Sequence, residues 1–227
     1  MRRPVAMMGE GDQDDDRKSR VGELILRLRR AGITDQRVLS AIEAAPRDLF
    51  VPAESRPEAW SERALPIDCG QTISAPLIVG MMTAALEVGD RDRVLEIGTG
   101  TGYQTAILSR LCRRVYTIDR FRTLVQSAES RFKTLRLSNI TTLVGDGTGG
   151  WPEQAPFDRI IVTAAGETVP EALIKQLRVG GIMVIPVGPQ DGVQKLKRIE
   201  RTEAGYEETD LADVRFVPLI PGKAARL

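Results

Sequence analysis

Between Arg93 and Val187, short runs rich in Val, Ile and Leu alternate with stretches of helical period, and this alternation restricts the fold more than any other feature of the chain. The runs Arg93–Ile97, Val115–Ile118, Ile140–Val144, Arg159–Thr163 and Ile182–Val187 have strand length, whereas Gly102–Leu111, Phe121–Leu135 and Pro170–Leu177 have helical spacing. Repeated alternation predicts βαβ units and a parallel sheet. Beyond Val187 the pattern changes. Val193–Arg201 and Tyr206–Val217 are separated only by Thr202-Glu203-Ala204-Gly205, which predicts a hairpin adding antiparallel edge strands.

The part before Arg93 reads as a helical cover. Val21, Leu24, Ile25 and Leu28 recur at helical spacing from Ser19, with Gly32 as the stop signal. Thr34 reads as the N-cap of a second short helix carrying Val38, Leu39 and Ile42 and ended by Pro46. Arg47 to Leu65 has no clear period and is expected to lie irregularly over the rest. Ser74 reads as the N-cap of a helix from Ala75 to Leu86, with Pro76 in its first turn, where a missing N–H costs nothing. The expected organisation is a flexible leader over 1–16, a helical cover over 17–90, an α/β core over 91–220 and a tail over 221–227. A length of 227 residues suits one such domain with a modest appendage.

Composition removes several chemistries. With no histidine, mechanisms that need an imidazole base, Ser-His-Asp triads and His-bearing metal sites are excluded. Two cysteines, Cys69 and Cys112, cannot build a four-thiolate zinc site, so both are expected as free thiols and no metal is expected. The net charge of +1 is not that of a chain made to neutralise phosphates or anionic lipid. No apolar run reaches the roughly 20 residues of a membrane span, and the first twenty residues hold no apolar stretch of a secretion signal, so a cytoplasmic protein is expected.

The residues that carry chemistry begin at Val94-Leu95-Glu96-Ile97-Gly98-Thr99-Gly100-Thr101-Gly102-Tyr103, where a strand runs into a G-x-G-x-G turn and then a helix. Gly98, Gly100 and Gly102 allow a tight turn and close approach of a ligand to the backbone, with Thr99 between them. Asp119, twenty-one residues past Gly98, ends the next strand where a doubly wound fold places an acid against a ribose diol. The third glycine comes one residue too early for the dinucleotide G-x-G-x-x-G pattern. Glu96, close to the loop, would be awkward beside pyrophosphate but useful beside a cationic amino-acid moiety, which favours S-adenosylmethionine over NAD. Asp146, in Gly145-Asp146-Gly147, either accepts a hydrogen bond from an adenine amine or simply forms a turn.

Together with Gly70-Gln71-Thr72-Ile73-Ser74-Ala75-Pro76, Ala155-Pro156-Phe157-Asp158 and Phe216-Val217-Pro218-Leu219, these motifs resemble the protein-L-isoaspartate O-methyltransferase family, in order, from about Arg47 to Leu219. The resemblance implies a seven-stranded, Rossmann-like, S-adenosylmethionine-dependent methyltransferase fold. It also implies methylation of the free carboxyl of L-isoaspartyl residues in damaged proteins, after which the ester closes to a succinimide. The family's active-site serine falls on Ser74, with Thr72 and Ile73 beside it in the substrate pocket, and its cofactor acids fall on Glu96, Asp119 and Asp146, with Gly147 adjoining. Val217 would be near the peptide; as plain sequence, Arg215–Leu219 reads equally as an edge strand ended by Pro218. The sequence departs from the family pattern at Asp119, where Glu is common, at Thr101 for serine, at Leu77 for histidine and at Asp68 for glycine. Asp68 is expected to point away from the pocket, since there it would repel a carboxylate.

A carboxylate nucleophile is almost fully ionised at neutral pH and needs no general base, so such an enzyme can operate without histidine. Ser74 would orient that carboxylate, or cap the following helix, or do both. An alternative partner is one dedicated precursor peptide methylated on aspartate. A nucleic-acid methyltransferase is disfavoured because Val162-Thr163-Ala164-Ala165-Gly166 stands where a base-stacking Asn/Asp-Pro-Pro-aromatic loop would be needed. The expected partners are therefore isoaspartyl proteins and peptides, without nucleic acid or membrane, and the chain is expected to be a monomer.

Overall fold

A computed structural model describes residues 10–224. Three helices, α1 (Glu10–Arg30), α2 (Gln36–Glu43) and α3 (Pro76–Ala85), form the cover, with a two-stranded ribbon of β1 (Leu65–Pro66) and β2 (Thr72–Ile73) between the last two. The core holds β3 (Arg93–Ile97), α4 (Tyr103–Ser109), β4 (Arg114–Asp119), α5 (Arg122–Thr134), β5 (Ile140–Val144), β6 (Phe157–Val162), α6 (Glu171–Gln176), β7 (Leu177–Val187), β8 (Gln194–Thr202) and β9 (Gly205–Val214). The main sheet has seven strands in the order β5-β4-β3-β6-β7-β8-β9, parallel from β5 to β7 and antiparallel at β8 and β9. The expected α/β architecture, with its C-terminal hairpin and helical cover, is therefore present.

Alternation along the strands feeds two cores. Val94, Val115, Ile161 and Val184 join the N-terminal helices on one face, while Leu95, Tyr116, Ile160 and Met183 pack with Leu173 and Leu177 on the other. Burial on both faces explains why these strands read as almost unbroken apolar runs. The β9 edge is exposed and charged: Lys197 pairs with Glu208 at 2.8 Å and Asp210 at 2.9 Å, a composition that discourages edge-to-edge association.

Three local expectations are corrected. Helix α1 starts at Glu10 instead of Ser19, because the polar extension is held by ion pairs and not by apolar period: Arg20 meets Asp16 at 2.9 Å and Arg17 meets Asp48 at 2.7 Å. The first nine residues of the expected leader, and residues 225–227 of the tail, lie outside the described residues. The cap of α2 is Asp35, not Thr34, its side chain accepting from Arg37 N and Val38 N. Strand β9 stops at Val214, and Arg215–Leu219 is no edge strand. Gln194 Oε1 captures Phe216 N at 2.9 Å, Pro218 has no N–H to extend a ladder, and the chain swings to the tip of β6, where Ala165 N donates to Val217 O and Leu219 N to Ala165 O, both at 2.8 Å.

Candidate active site

Strand β3 pairs with β4 on one side and β6 on the other, so the chain reverses its direction of sheet growth there, and a crevice opens beyond the carboxyl ends of the strands. Past the last paired residues the loops part: Gly98 N donates to Ile118 O at 2.8 Å, and Thr163 N to Ile97 O at 2.9 Å. Gly98 has φ +98°, and a Cβ on it would collide with Thr163 Oγ1, which itself donates to Gly98 O. The resulting cleft is open to solvent and is lined both by the glycine loop and by the segment from Gln71 to Ser74.

One end of the cleft is built by the glycine loop and the tip of β4. Gly98, Thr99, Gly100, Asp119 and Gly147 line it as expected, with Phe121 and Leu124 as an apolar wall. Asp119 is buried; one carboxylate oxygen accepts from Gly100 N at 2.8 Å and the other from Phe121 N at 2.9 Å. Burial pushes its pKa up, against the lowering effect of those two N–H groups and of Arg120. Each oxygen keeps a lone pair, so Asp119 both shapes the loop and remains able to accept from a diol.

The other end is built by the ribbon and the segment after β9. Thr72, Ile73, Ser74 and Val217 all line the cleft. Pairing of Leu65 with Ile73 and Pro66 with Thr72 fixes the segment. Ser74 does not cap a helix: the cap position of α3 is Ala75, and no side chain bonds its free N–H groups. Asp68 is exposed and absent from the lining, so it points away as expected. Cys112 is a buried free thiol; Cys69, also free, is only half-buried, at φ 61°.

Three expected donor-site residues lie elsewhere. Glu96 is fully buried beneath the loop, because strand alternation turns it toward α4. Its Oε2 accepts from Thr105 at 2.5 Å and Thr117 at 2.6 Å, and Thr117 is in turn 2.7 Å from Thr99. Among the described residues its Oε1 has no hydrogen-bond partner. Burial pushes its pKa to about 8 despite the two threonine donors, with Asp119 adding to the rise. Gly102, at φ +91°, serves packing: a Cβ there would lie 2.6 Å from the Phe132 ring on α5. Asp146 turns from the cleft, one oxygen accepting from Thr148 N at 2.8 Å and Thr148 Oγ1 at 2.6 Å, the other from Gly222 N at 2.7 Å. Its pKa is lowered: desolvation opposes, but the hydrogen bonds from Thr148 and Gly222 and the charge of Arg120 prevail.

Sequence reasoning missed Arg120, Tyr103, Leu219 and Ile220, all of which line the cleft. Tyr103 and Leu219 close motifs that the sequence already marked, and Arg120 directly follows Asp119, so these three could have been found there. That Leu219 and Ile220 reach the cleft depends on the path of the tail, which local sequence does not encode.

Residues 19–224 match the family model described as protein-L-isoaspartate(D-aspartate) O-methyltransferase. A protein-L-isoaspartate O-methyltransferase of Parvibaculum lavamentivorans is 56% identical over 220 residues, covering 96% of this chain and 99% of the relative. One from Rhodospirillum centenum is 58% identical over 202 residues, covering 88% and 91%. Among solved structures, a protein-L-isoaspartate O-methyltransferase superposes with a TM-score of 0.80 at 26% identity, over 87% of this chain and 65% of the other. A beta-aspartate methyltransferase from Plasmodium falciparum, solved with S-adenosyl-L-homocysteine, gives 0.76 at 24% identity over 90% and 98%.

Proposed function

The chain belongs to the protein-L-isoaspartate(D-aspartate) O-methyltransferase family, and from that membership we propose how its cleft transfers a methyl group from S-adenosylmethionine to the free carboxyl of an L-isoaspartyl residue. The glycine-loop end fits such a donor. Backbone approaches openly at Gly98 and Gly100, Asp119 retains lone pairs for a ribose, and Phe121 and Leu124 offer an apolar wall to a base. When bound, S-adenosylmethionine supplies a methyl group on a sulfonium, already activated for transfer.

What remains for the protein is alignment and exclusion of water, and alignment is worth up to about 7–11 kcal/mol in favourable cases. Ser74 donates its hydroxyl hydrogen to the acceptor carboxylate and so turns one oxygen toward the donor. Thr72, Ile73 and Val217 flank the peptide, whose backbone they hold in strand-like fashion. No residue removes a proton, because the acceptor is already ionised. Glu96 and Asp146 support the site from behind: the first beneath the glycine loop, the second through its own turn and the tail. The ester so formed closes to the succinimide that begins repair, as the following backbone amide nitrogen attacks the ester carbonyl and methanol leaves with the amide proton.

In this reading residues 91–220 hold the donor and residues 17–90 present the acceptor. The protein acts as a cytoplasmic monomer on isoaspartyl proteins, without nucleic acid or membrane. In support, the charge is nearly balanced, and among the described residues no helix is long and apolar enough to cross a membrane.

The observation that carries the reading is that Ser74, free of any capping duty, faces the same cleft as the glycine loop and Asp119. It is tested by offering one peptide in isoaspartyl and aspartyl forms with labelled S-adenosylmethionine. Label on the isoaspartyl form alone is expected. Label only on an aspartyl peptide bearing a particular leader would reassign the enzyme to a dedicated substrate.

A further inference from the structure

Arg47 heads the side chains that are wholly withdrawn from solvent, and among the described residues no carboxylate pairs with it. It sits in the irregular segment after α2, where its Nε donates to Ala59 O at 2.6 Å and its Nη2 to Ser74 O at 2.7 Å. Its guanidinium carbon lies 4.7 Å from the ring centroid of Tyr103, the cleft-lining residue that follows the glycine loop, and Phe50 meets that ring edge-on at 5.5 Å. Arg47 Nη1 and the Tyr103 hydroxyl are both buried, and among the described residues their only polar interaction is with each other. A buried cation with no counter-ion is unfavourable for stability, and an apolar side chain of similar size would serve packing better.

Resting on the methyl-transfer reading above, we infer that Arg47 is a positioning residue for the acceptor. Its fork fixes the main chain of Ser74 against the segment carrying Ala59, and its uncompensated charge keeps the acceptor end of the cleft positive. A carboxylate is thereby held beside Ser74 in preference to a neutral amide. Stacking on Tyr103 holds the guanidinium in this orientation without contact with the donor end of the cleft.

The test compares Arg47→Met and Arg47→Lys in the full chain, reading kcat and KM for an isoaspartyl peptide, Kd for S-adenosylhomocysteine and melting temperature. Arg47→Met is expected to raise KM and lower kcat, each by at least about tenfold, the scale of one charge-assisted hydrogen bond. Arg47→Lys, which keeps the charge but not the fork, is expected to restore KM and leave kcat low. In both, the Kd for S-adenosylhomocysteine stays within about twofold of the parent, as fits a residue that does not touch the donor. Wild-type KM and kcat in both variants, or losses that appear equally in S-adenosylhomocysteine affinity and follow the melting temperature, would overturn the inference. If Arg47→Met does not fold, Arg47→Lys decides by its kcat alone. A parent chain that leaves the isoaspartyl peptide unmethylated would instead sink the methyl-transfer reading itself.

Discussion

Ser74 and Glu96 show that a residue's place in a motif and the direction of its side chain are separate facts. Because Ala75 occupies the cap position, Ser74→Ala removes no helix hydrogen bond. It is expected to leave the melting temperature and the S-adenosylhomocysteine Kd unchanged while lowering kcat roughly 10- to 100-fold, the worth of a hydrogen bond to a charged acceptor; steady-state kinetics and calorimetry on one preparation would check both. For Glu96 the sign follows from a folded-state pKa of about 8 against a usual 4.5. Between those values the folded chain holds a proton that the unfolded chain has lost. Stability is therefore highest below the lower value and declines as pH rises toward the higher, by up to about 1.4 kcal/mol per pH unit. Glu96→Gln cannot ionise, so its melting temperature should fall less than the parent's between about pH 5 and 8. Parallel curves for the two proteins would show that Glu96 does not titrate in the fold.

Among the elements, the segment after β9 departs most from a reading of local sequence. Apolar residues and a proline at Phe216-Val217-Pro218-Leu219 look like the end of a strand, yet the segment becomes a wall of the cleft, latched farther on by Gly222 N on Asp146 and Ala224 N on Arg120 O. Asp146→Ala removes both that latch and the bond to Thr148. It is expected to speed amide exchange at Gly222 and to raise the dissociation rate of S-adenosylhomocysteine several-fold, about the effect of 1 kcal/mol. Exchange measured by NMR together with stopped-flow displacement would test this, and an unchanged Gly222 rate would remove the latch. The glycine loop, by contrast, was legible as a contiguous strand, turn and helix with glycines at positive φ, although the steric reasons at Gly98 and Gly102 come from Thr163 and from Phe132 on α5, far along the chain.

At the level of the whole molecule, the cover and the α/β core share one apolar cluster, which runs from Val21 and Leu24 through Val94 to Val184. A ligand held between them should stabilise both together. S-adenosylhomocysteine at a hundredfold excess over its Kd contributes about 2.7 kcal/mol. For a domain of this size that corresponds to a rise of roughly 5–11 °C in melting temperature. Differential scanning fluorimetry should show a single transition moving by that amount, with NAD at equal concentration producing no shift.

The order of strands and helices along the chain, the glycine turn and the placing of Asp119 at a strand tip were determined by sequence alone, because each depends on period or on neighbours within a few residues; the Thr72-Ile73-Ser74 segment was marked by its likeness to the family motif. Tertiary structure decided which way Glu96 and Asp146 face, where the tail runs and that Arg47 stands behind Ser74. The physical reason is range: Arg47 reaches Ser74 across 27 residues and Asp146 reaches Gly222 across 76. A period of two shows that Glu96 and Leu95 point to opposite faces of the sheet. Only the packed helices reveal that Glu96 faces α4 beneath the loop and not the open cleft.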